Sequence, residues 1–503
     1  MASEAARPGL WPGADARFFC TAGRGLESFL MREVQARLAA TQVEYISGKV
    51  FFTTSASLNM LKTLKSAERL FLLITKQLPF PVSSTGKGKI LSEIQRLIND
   101  DPGNWLNIIS IWKDLLELNI ENEKLSQRDA NPLKRKVGEK GTIAAKKPKT
   151  EQMEEIKENR ACQLEKQREE TLEQRESITV REELPEAGSQ DQAENAAETH
   201  HHSGLTFRVS CRCSGTIGKA VTAQEVGRVI GVALMRQFGW KADLRNPDLE
   251  VFIHLNDIYS VVGIPVLRVP LASRAYIKTA GLRSTIAWAM ASLAEIKAGV
   301  FVLDPMCGLG TILLEAAKEW PGGFYVGADV SDSQLLGACD NLKAAGLEDK
   351  IELLKLSVLD LPLPSESIDV IISDIPFGKK FKLAKDIERI LQEMERVLRA
   401  GGTIVLLLGE NHYRRLSSHA ESGLPLDAKG SHTDRPGAGG CLKPEGKMDT
   451  PERLAPSFNT SNQEYLDQMS PFGSLVPAEC YKVSLGKTDA FLCKYKKAYP
   501  HGS

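Results

Sequence analysis

From residue 274 to residue 409 the sequence alternates short apolar strands with amphipathic helices, a pattern typical of a parallel, doubly wound sheet. We predict that four of these strands each end in a carboxylate: Asp304, Asp329, Asp360 and Asp374. The carboxyl ends of parallel strands meet at one edge of a sheet, where cofactors bind. A single Asp after a strand usually caps a helix or forms a turn. Four in register indicate a ligand site.

The loop after the first of these strands, DPMCGLG, has Gly308 and Gly310 where the backbone must approach a ligand closely. A dinucleotide fingerprint requires a third glycine where this chain has a leucine, and the loop lacks the lysine of a P-loop. Asp304 would repel a pyrophosphate and suits a cationic ligand. We expect Asp329 to accept hydrogen bonds from ribose hydroxyls, and Asp360 from an adenine amino group.

The last of the four strands continues into SDIPFGKK. Asp374 and the carbonyl of Ile375 are placed to accept hydrogen bonds from a flat amino group. Pro376 would make the turn rigid, and the ring of Phe377 would stack on a base. A capped turn with a core phenylalanine stays open as the alternative.

Composition sets limits on partners and compartment. The 503 residues predict two or three domains, and 64 basic residues balance 64 acidic ones, so a nucleic-acid surface must be local. Nine scattered cysteines form no CxxC pair, and we predict them to be reduced and expect no metal site. We also predict neither a signal peptide nor a membrane-spanning segment.

Several motifs resemble one enzyme family. LRSTIAWAM (282–290), DPMCGLGTILLEAA and DIPFGKK resemble motifs of the THUMP-domain RNA guanosine-N2 methyltransferases, which are class I S-adenosylmethionine-dependent enzymes. FRVSCRCSG and WKADLRNPDLEVFIHL (240–255) resemble the THUMP domain. The resemblance implies an α/β fold, with a Rossmann-like class I methyltransferase domain preceded by an α+β N-terminal and THUMP RNA-binding region.

The same resemblance implies a substrate and a partner. It favours formation of N2-methylguanosine in a structured small RNA, U6-type spliceosomal small nuclear RNA first and tRNA next. It also implies a small zinc-binding activator subunit that covers an apolar edge of the methyltransferase domain. Two alternatives stay open: a protein N5-glutamine methyltransferase, although such clamps typically begin with Asn, and a non-catalytic RNA-binding scaffold with a methyltransferase fold.

The motifs assign residues to three roles. For S-adenosylmethionine they give Asp304, Met306, Cys307, Gly308, Gly310, Asp329, Val330 and Asp360. For catalysis they give Asp374, Ile375, Pro376 and Phe377. The candidates for RNA contact are Lys379, Lys380, Lys382, Arg208, Arg212 and Lys219. The clamp departs from the frequent D-P-P-Y pattern at Ile375 and Phe377, and Phe377 keeps a stacking face without a phenol.

The predicted domains follow the changes in composition. They are a flexible tail (1–15), an N-terminal α+β domain of ferredoxin-like fold (16–124), a disordered charged linker (125–203), the THUMP core (204–268), the methyltransferase domain (274–410 and 471–497) and a disordered insertion (411–470). Basic clusters at 134–136 and 146–149 have the layout of a bipartite nuclear signal, so we expect a nuclear protein, with some in the cytoplasm. A charge run that only keeps the linker soluble is the alternative.

Overall fold

The computed structural model describes residues 15–79, 86–129, 204–376, 387–418, 458–486 and 488–499, with the backbone alone at 118–129, 418 and 458–461. The described chain divides into two compact units. The first contains the described parts of residues 1–19, 53–62 and 70–268, and the second contains those of 20–52, 63–69 and 269–503.

The strands and helices have the following bounds. The strands are β1 (Ala16–Thr21), β2 (Thr41–Ile46), β3 (Lys49–Thr54), β4 (Arg69–Gln77), β5 (Thr206–Cys213), β6 (Lys241–Ala242), β7 (Leu249–Leu255), β8 (Ser260–Pro265), β9 (Phe301–Asp304), β10 (Phe324–Asp329), β11 (Ile351–Lys355), β12 (Ile368–Asp374), β13 (Leu398–Gly409), β14 (Leu475–Ser484) and β15 (Asp489–Lys497). The helices are α1 (Glu27–Leu38), α2 (Leu58–Leu61), α3 (Lys87–Asn99), α4 (Pro102–Asp129), α5 (Ile217–Ala220), α6 (Ala223–Phe238), α7 (Ser284–Leu293), α8 (Thr311–Glu319), α9 (Asp332–Ala345), α10 (Ile387–Val397), α11 (Glu410–Ser418) and α12 (Phe458–Asp467).

In the first unit, five strands are hydrogen-bonded neighbours in the order β4-β8-β7-β5-β6. β5 and β7 run parallel, and β7 and β8 form an antiparallel hairpin whose turn includes Asn256 and Asp257. Helix α6 begins at a capping box, in which the side chains of Thr222 and Glu225 each accept a hydrogen bond from the other's backbone N–H. It ends at Gly239, which has a φ of +67° that glycine adopts without strain.

The second unit contains the predicted doubly wound sheet. Its seven strands lie in the order β11-β10-β9-β12-β13-β15-β14. The strands from β11 to β13 are parallel, and β14 and β15 form an antiparallel hairpin whose second strand pairs with β13. The parallel core that the sequence predicts is confirmed.

Alternating residues of the parallel strands cover the two faces of this sheet. On one face, Val302 of β9 and Val405 and Leu407 of β13 pack with helices α7 and α8. On the other face, Leu303 of β9 and Leu406 of β13 pack with α10 and α11. Because side chains alternate along a strand, a strand buried on both faces must be apolar throughout, which explains the continuous apolar runs of β12 and β13.

Helix α1 also belongs to the second unit. The ring of Phe29 lies 4.9 Å from that of Tyr481, and the N–H of Ser484 donates to the carbonyl of Arg24 at 2.9 Å. Gly25 has a φ of +91°, and a Cβ there would lie 1.9 Å from the carbonyl oxygen of Lys482, so only glycine fits this turn. The sequence groups residues 16–124 in one domain and gives no sign of this packing. Those predicted boundaries stay a prediction.

The predicted insertion at 411–470 is wrong at its two ends, where the structure has helices α11 and α12. Tyr413 and Leu416 of α11 are buried in the second face of the core, and the ring of Tyr413 stacks on Phe491 at 3.9 Å. Charge and glycine dominate the sequence around these residues and mask their helical spacing. Helix α4 also runs to Asp129, into the predicted linker. The remaining residues of both segments lie outside the described residues.

Within the described residues, no helix combines the length and apolar character that crossing a membrane requires. The cysteines that the structure describes form no disulfide with one another. The same residues contain no cluster of side chains suited to hold a metal ion.

Candidate active site

The glycine loop joins β9 to α8 at the carboxyl edge of the seven-stranded sheet. Gly308 and Gly310 have φ angles of +51° and +75°, which side chains other than that of glycine rarely allow. The N–H of Cys307 donates to the carbonyl of Ala328 at the end of β10 at 2.8 Å, so the loop is fixed on the neighbouring strand. Burial raises the pKa of the Cys307 thiol, which therefore stays protonated and is no nucleophile.

Asp304 ends β9 and is completely enclosed, with 1 % of its surface exposed. One oxygen, Oδ1, accepts hydrogen bonds from the hydroxyl of Ser373 at 3.0 Å and from the N–H of Met306 at 3.2 Å. Burial is the main reason why the pKa of this carboxyl is raised to about 8. A buried acid of this kind ionises most readily beside a positive charge. The cationic ligand of Asp304 stays a prediction.

Asp329 ends β10 and holds two backbone segments together. Its Oδ2 accepts from the N–H of Gly308 at 3.0 Å, and its Oδ1 accepts from the N–H of Ser331 at 2.9 Å. Each carboxylate oxygen has a second lone pair, so Asp329 keeps acceptor capacity for a ligand. Val330 follows with 65 % of its surface exposed and presents an apolar group at the same edge.

Asp374 ends β12, the strand beside β9. Its Oδ1 is buried and has no hydrogen-bond partner among the described residues. Burial raises the pKa of this carboxyl to about 7. Buried acceptors in folded proteins are nearly always paired, so this oxygen is open to a donor that the described residues do not supply.

The residues after Asp374 are described as far as Pro376. Ile375 is buried, and its N–H donates to the carbonyl of Leu407 at 3.1 Å, which fixes the peptide next to the orphaned carboxylate. Pro376 is half-buried. Four predicted site residues lie outside the described residues: Phe377, Lys379, Lys380 and Lys382.

Asp360 does not end a strand, so the predicted strand end is wrong. β11 ends at Lys355, and Asp360 lies exposed in the turn that follows, where its N–H donates to the carbonyl of Ser357 at 3.3 Å. β11 is an edge strand with one exposed side, so its pattern of apolar residues does not mark the residue at which the strand ends. The predicted contact of Asp360 with adenine stays a prediction.

Met306, another predicted cofactor residue, is partly buried against the core face that contains α10.

The RNA-binding candidates of the first unit differ in their surroundings. Arg208 forms an ion pair with Glu250 across β5 and β7 at 2.8 Å, so its charge is already compensated. Arg212, four residues along the same strand face, is exposed, as is Lys219 in α5. The loop between them is fixed by Asp257, whose carboxylate accepts from the N–H of Thr216 at 2.9 Å.

Comparisons with known proteins agree with this geometry. Residues 190–263 match the model of the THUMP domain, and residues 272–422 match that of an RMKL-like methyltransferase domain. The chain is 73 % identical, over all of both chains, to the human protein named U6 snRNA (guanine-N(2))-methyltransferase THUMPD2. The chain belongs to the THUMP-domain RNA (guanine-N2) methyltransferases.

More distant relatives support the same family. The bovine tRNA (guanine(6)-N(2))-methyltransferase THUMP3 is 28 % identical over 77 % of this chain and 79 % of its own length. The crystal structure of TrmN from Thermus thermophilus shares the fold, with a TM-score of 0.55 at 18 % identity, over 96 % of this chain and all of that one. The two alternatives left by the sequence, a protein methyltransferase and a non-catalytic scaffold, receive no support from these relatives.

As a member of this family the chain is an S-adenosylmethionine-dependent methyltransferase. When bound, this cofactor supplies an electrophilic methyl group on a positively charged sulfonium. The residues present fit it: the glycines at 308 and 310 leave the loop backbone accessible, and Asp329 has lone pairs for ribose hydroxyls. Asp304 is a buried carboxyl suited to a cationic group.

Sequence reasoning missed two buried residues that support this site. Ser373 donates its hydroxyl proton to Asp304, and Asn341 of α9 bonds to the glycine loop. A serine before the aspartate that ends β12 forms no motif by which its role could be predicted from sequence. An asparagine within an amphipathic helix resembles a residue of the solvent face.

Proposed function

We propose that the protein transfers a methyl group from S-adenosylmethionine to the exocyclic N2 of a guanosine in a structured small RNA. U6-type spliceosomal small nuclear RNA is the first candidate and tRNA the second, because the human and bovine relatives are named for those activities. The main support for this proposal is the Oδ1 atom of Asp374, which lies at the edge of the sheet with the cofactor residues and has no partner among the described residues. This oxygen can accept a hydrogen bond from the amino group of the guanine.

Asp374 and Ile375 make the amine reactive. The lone pair of an exocyclic amine is delocalised into the ring, so the nitrogen is a poor nucleophile. When the Asp374 carboxylate and the Ile375 carbonyl each accept one N–H, the nitrogen turns toward tetrahedral geometry and its lone pair becomes available. The bond from the Ile375 N–H to the Leu407 carbonyl holds the peptide between the Asp374 side chain and the Ile375 carbonyl in place before the base arrives, so little reorganisation is needed.

The proton leaves the nitrogen after the carbon–nitrogen bond has formed. Asp374 accepts that proton and passes it to water, so a strong general base is not required. Pro376 makes the turn rigid, and the ring of Phe377, which lies outside the described residues, stacks on the guanine in this proposal. The base must be flipped out of a helix or presented by an unpaired region, because the clamp requires access to its edge.

The function is tested by methylation assays on defined RNAs and by nucleoside mass spectrometry. We expect N2-methylguanosine to form in U6-type transcripts, less in tRNA and none in an unrelated RNA of equal length. Cells that lack the protein should lose the nucleoside from one small-RNA class. An unchanged level in every class would contradict the substrate proposal. The Asp374→Asn variant is the matched inactive control.

The proposal includes an activator subunit on the β11 edge of the sheet. β11 is an outer strand with unpaired backbone groups, and Leu354 is 40 % exposed on it. Phe301 and Phe324 begin β9 and β10, about four residues along the strands from the level of Leu354, and their stacked rings, 5.1 Å apart, are about half exposed. A small zinc-binding partner that adds a strand to β11 would cover the exposed side of Leu354. The assays are therefore run with and without that subunit, and equal activity in both would remove it from the proposal.

RNA is delivered in part by the first unit, with Arg212 and Lys219 as candidate phosphate contacts. We expect Arg212→Ala to weaken RNA binding several-fold and to lower the slope of affinity against salt by about 1. Arg208→Ala is the matched control on the same strand face, because Glu250 already compensates Arg208. Filter binding at a series of salt concentrations measures both. The same slope in the wild type and both variants would exclude Arg212 as a contact.

A nuclear location belongs to the same proposal, since small nuclear RNA is the first candidate. The basic clusters at 134–136 and 146–149 that predict it lie outside the described residues. Imaging of the tagged protein with both clusters replaced checks this location.

A further inference from the structure

Asn341 lies in α9, is completely buried, and bonds only to backbone groups among its described contacts. Its Oδ1 accepts from the N–H of Lys278 at 2.7 Å and of Thr279 at 3.1 Å. Its Nδ2 donates to the carbonyl of Thr279 at 3.1 Å and to that of Leu309 at 3.0 Å. These bonds use both protons and both lone pairs of a side-chain amide.

The four bonds join two segments that are distant in sequence. One is residues 278–283, which we call the strap and which has no helix or strand of its own. The other is Leu309, the residue between the two glycines of the cofactor loop. α9 reaches this loop closely, because a Cβ on Gly337, one turn before Asn341, would lie 2.5 Å from the side chain of Leu309.

The strap lies directly against the glycine loop. A Cβ added to Gly281 would be 3.0 Å from the hydroxyl of Thr311 and 3.4 Å from Cβ of Leu309. The strap does not pair with a described strand through backbone hydrogen bonds. Its position relative to the glycine loop therefore depends on hydrogen bonds from side chains. Asn341 is the link that bonds to the strap and to the loop at once.

We propose that Asn341 is a positioning residue for the S-adenosylmethionine site. It does not touch the cofactor; it fixes the strap and the carbonyl of Leu309 so that the loop keeps the shape that the cofactor needs. Displacements of about 1 Å at such a site reduce activity by up to about 100-fold. This inference rests on the cofactor site alone, and so it is independent of which RNA is methylated.

Two substitutions distinguish the hydrogen bonds that the Asn341 side chain accepts from those that it donates. Asn341→Leu has a similar volume and removes all four bonds. Asn341→Asp keeps the acceptors for Lys278 and Thr279 but sets a carboxylate oxygen against the carbonyls of Thr279 and Leu309. We expect the dissociation constant for S-adenosylmethionine to rise about 30-fold in Asn341→Leu and about tenfold or more in Asn341→Asp, with the rate at saturating cofactor changed less than about threefold.

The control for general destabilisation is Tyr325→Phe. The Tyr325 hydroxyl is buried and donates to the carbonyls of Ala316 and Trp320 at 3.3 and 2.5 Å, at the far end of α8 from the loop. Its loss should lower the melting temperature, as Asn341→Leu does, without weakening cofactor binding.

Cofactor binding by calorimetry and hydrogen exchange of the strap, residues 278–283, are measured on the full chain without RNA. We expect faster exchange of the strap in both Asn341 variants and unchanged exchange in Tyr325→Phe. Cofactor affinity within threefold of the wild type in Asn341→Asp, or an equal loss in Tyr325→Phe, would overturn the proposal. If Asn341→Leu does not fold, Asn341→Asp alone decides, because it retains two of the three bonds that hold the strap to α9.

Discussion

Replacing Asp374 by asparagine is expected to slow methyl transfer by about 10³-fold and to leave the affinity for S-adenosylmethionine within about twofold of the wild type. The amide has the same shape, but its donor nitrogen cannot accept an N–H from the guanine. The nearby charge of Asp374 helps to raise the pKa of Asp304, so its removal does not weaken the acid proposed for the cofactor. Single-turnover assays at saturating RNA, with calorimetry for the cofactor, separate the two effects.

The matched control is Asp369→Asn at the other end of the same strand. Asp369 accepts from the N–H of Phe301 at 2.7 Å and pairs with Arg399 at 2.5 Å, far from the cofactor edge. Transfer should persist in this variant. Equal loss of cofactor binding and of transfer in Asp374→Asn would mean that Asp374 holds the cofactor and not the base.

The same substitution has a stability signature with a definite sign. Burial raises the pKa of Asp374 from its ordinary value of 3.8 to about 7, so the folded state binds this proton more tightly than the unfolded state does. The stability that this proton contributes is complete below the ordinary pKa and is lost as the pH rises through about 7. The asparagine variant should therefore gain more in melting temperature, relative to the wild type, at pH 8 than at pH 5.

Cofactor affinity of the wild type is expected to rise with pH and to level off above the pKa of Asp304, about 8 in the free protein. Below that value Asp304 must lose a proton before it can face a cation, which costs about tenfold in affinity per pH unit. Asp304→Asn should bind about 100-fold more weakly at pH 8.5, because the partner of the positive charge is gone. Its affinity should also lose most of the pH dependence. Calorimetry from pH 6 to 9 measures both.

Asp332→Asn is the control for a charge at the same edge of the sheet. Asp332 is exposed and pairs with Lys355 at 2.7 Å, so its removal should change neither the affinity nor the pH profile. A pH profile in Asp304→Asn as steep as that of the wild type would show that another group titrates with cofactor binding.

Local sequence patterns predict much of the site. The ends of β9, β10 and β12 follow from apolar runs that stop at an acid, and the glycines at 308 and 310 have the positive φ angles that their spacing suggests. These features are local, because strand ends and turns depend on neighbouring residues in the chain.

Features that depend on tertiary contact could not be predicted. Asp360 lies beyond the end of β11, where an edge strand has too few buried neighbours to mark its last residue. The buried environment of Asn341 depends on a strap about 60 residues earlier in the chain, and α1 packs in the second unit through Phe29 and Tyr481. No window of adjacent residues contains either contact.

The position of β15 has a consequence for synthesis on the ribosome. β13 lies inside the sheet with Leu406, Leu407 and Leu408 buried, but the neighbour on its open side is β15, the last described strand of the chain. Until residues 489–497 leave the exit tunnel, β13 presents an unpaired, apolar edge that other chains can join. The nascent protein therefore completes its central sheet late, and a chaperone that shields β13 during translation would increase the yield of folded enzyme.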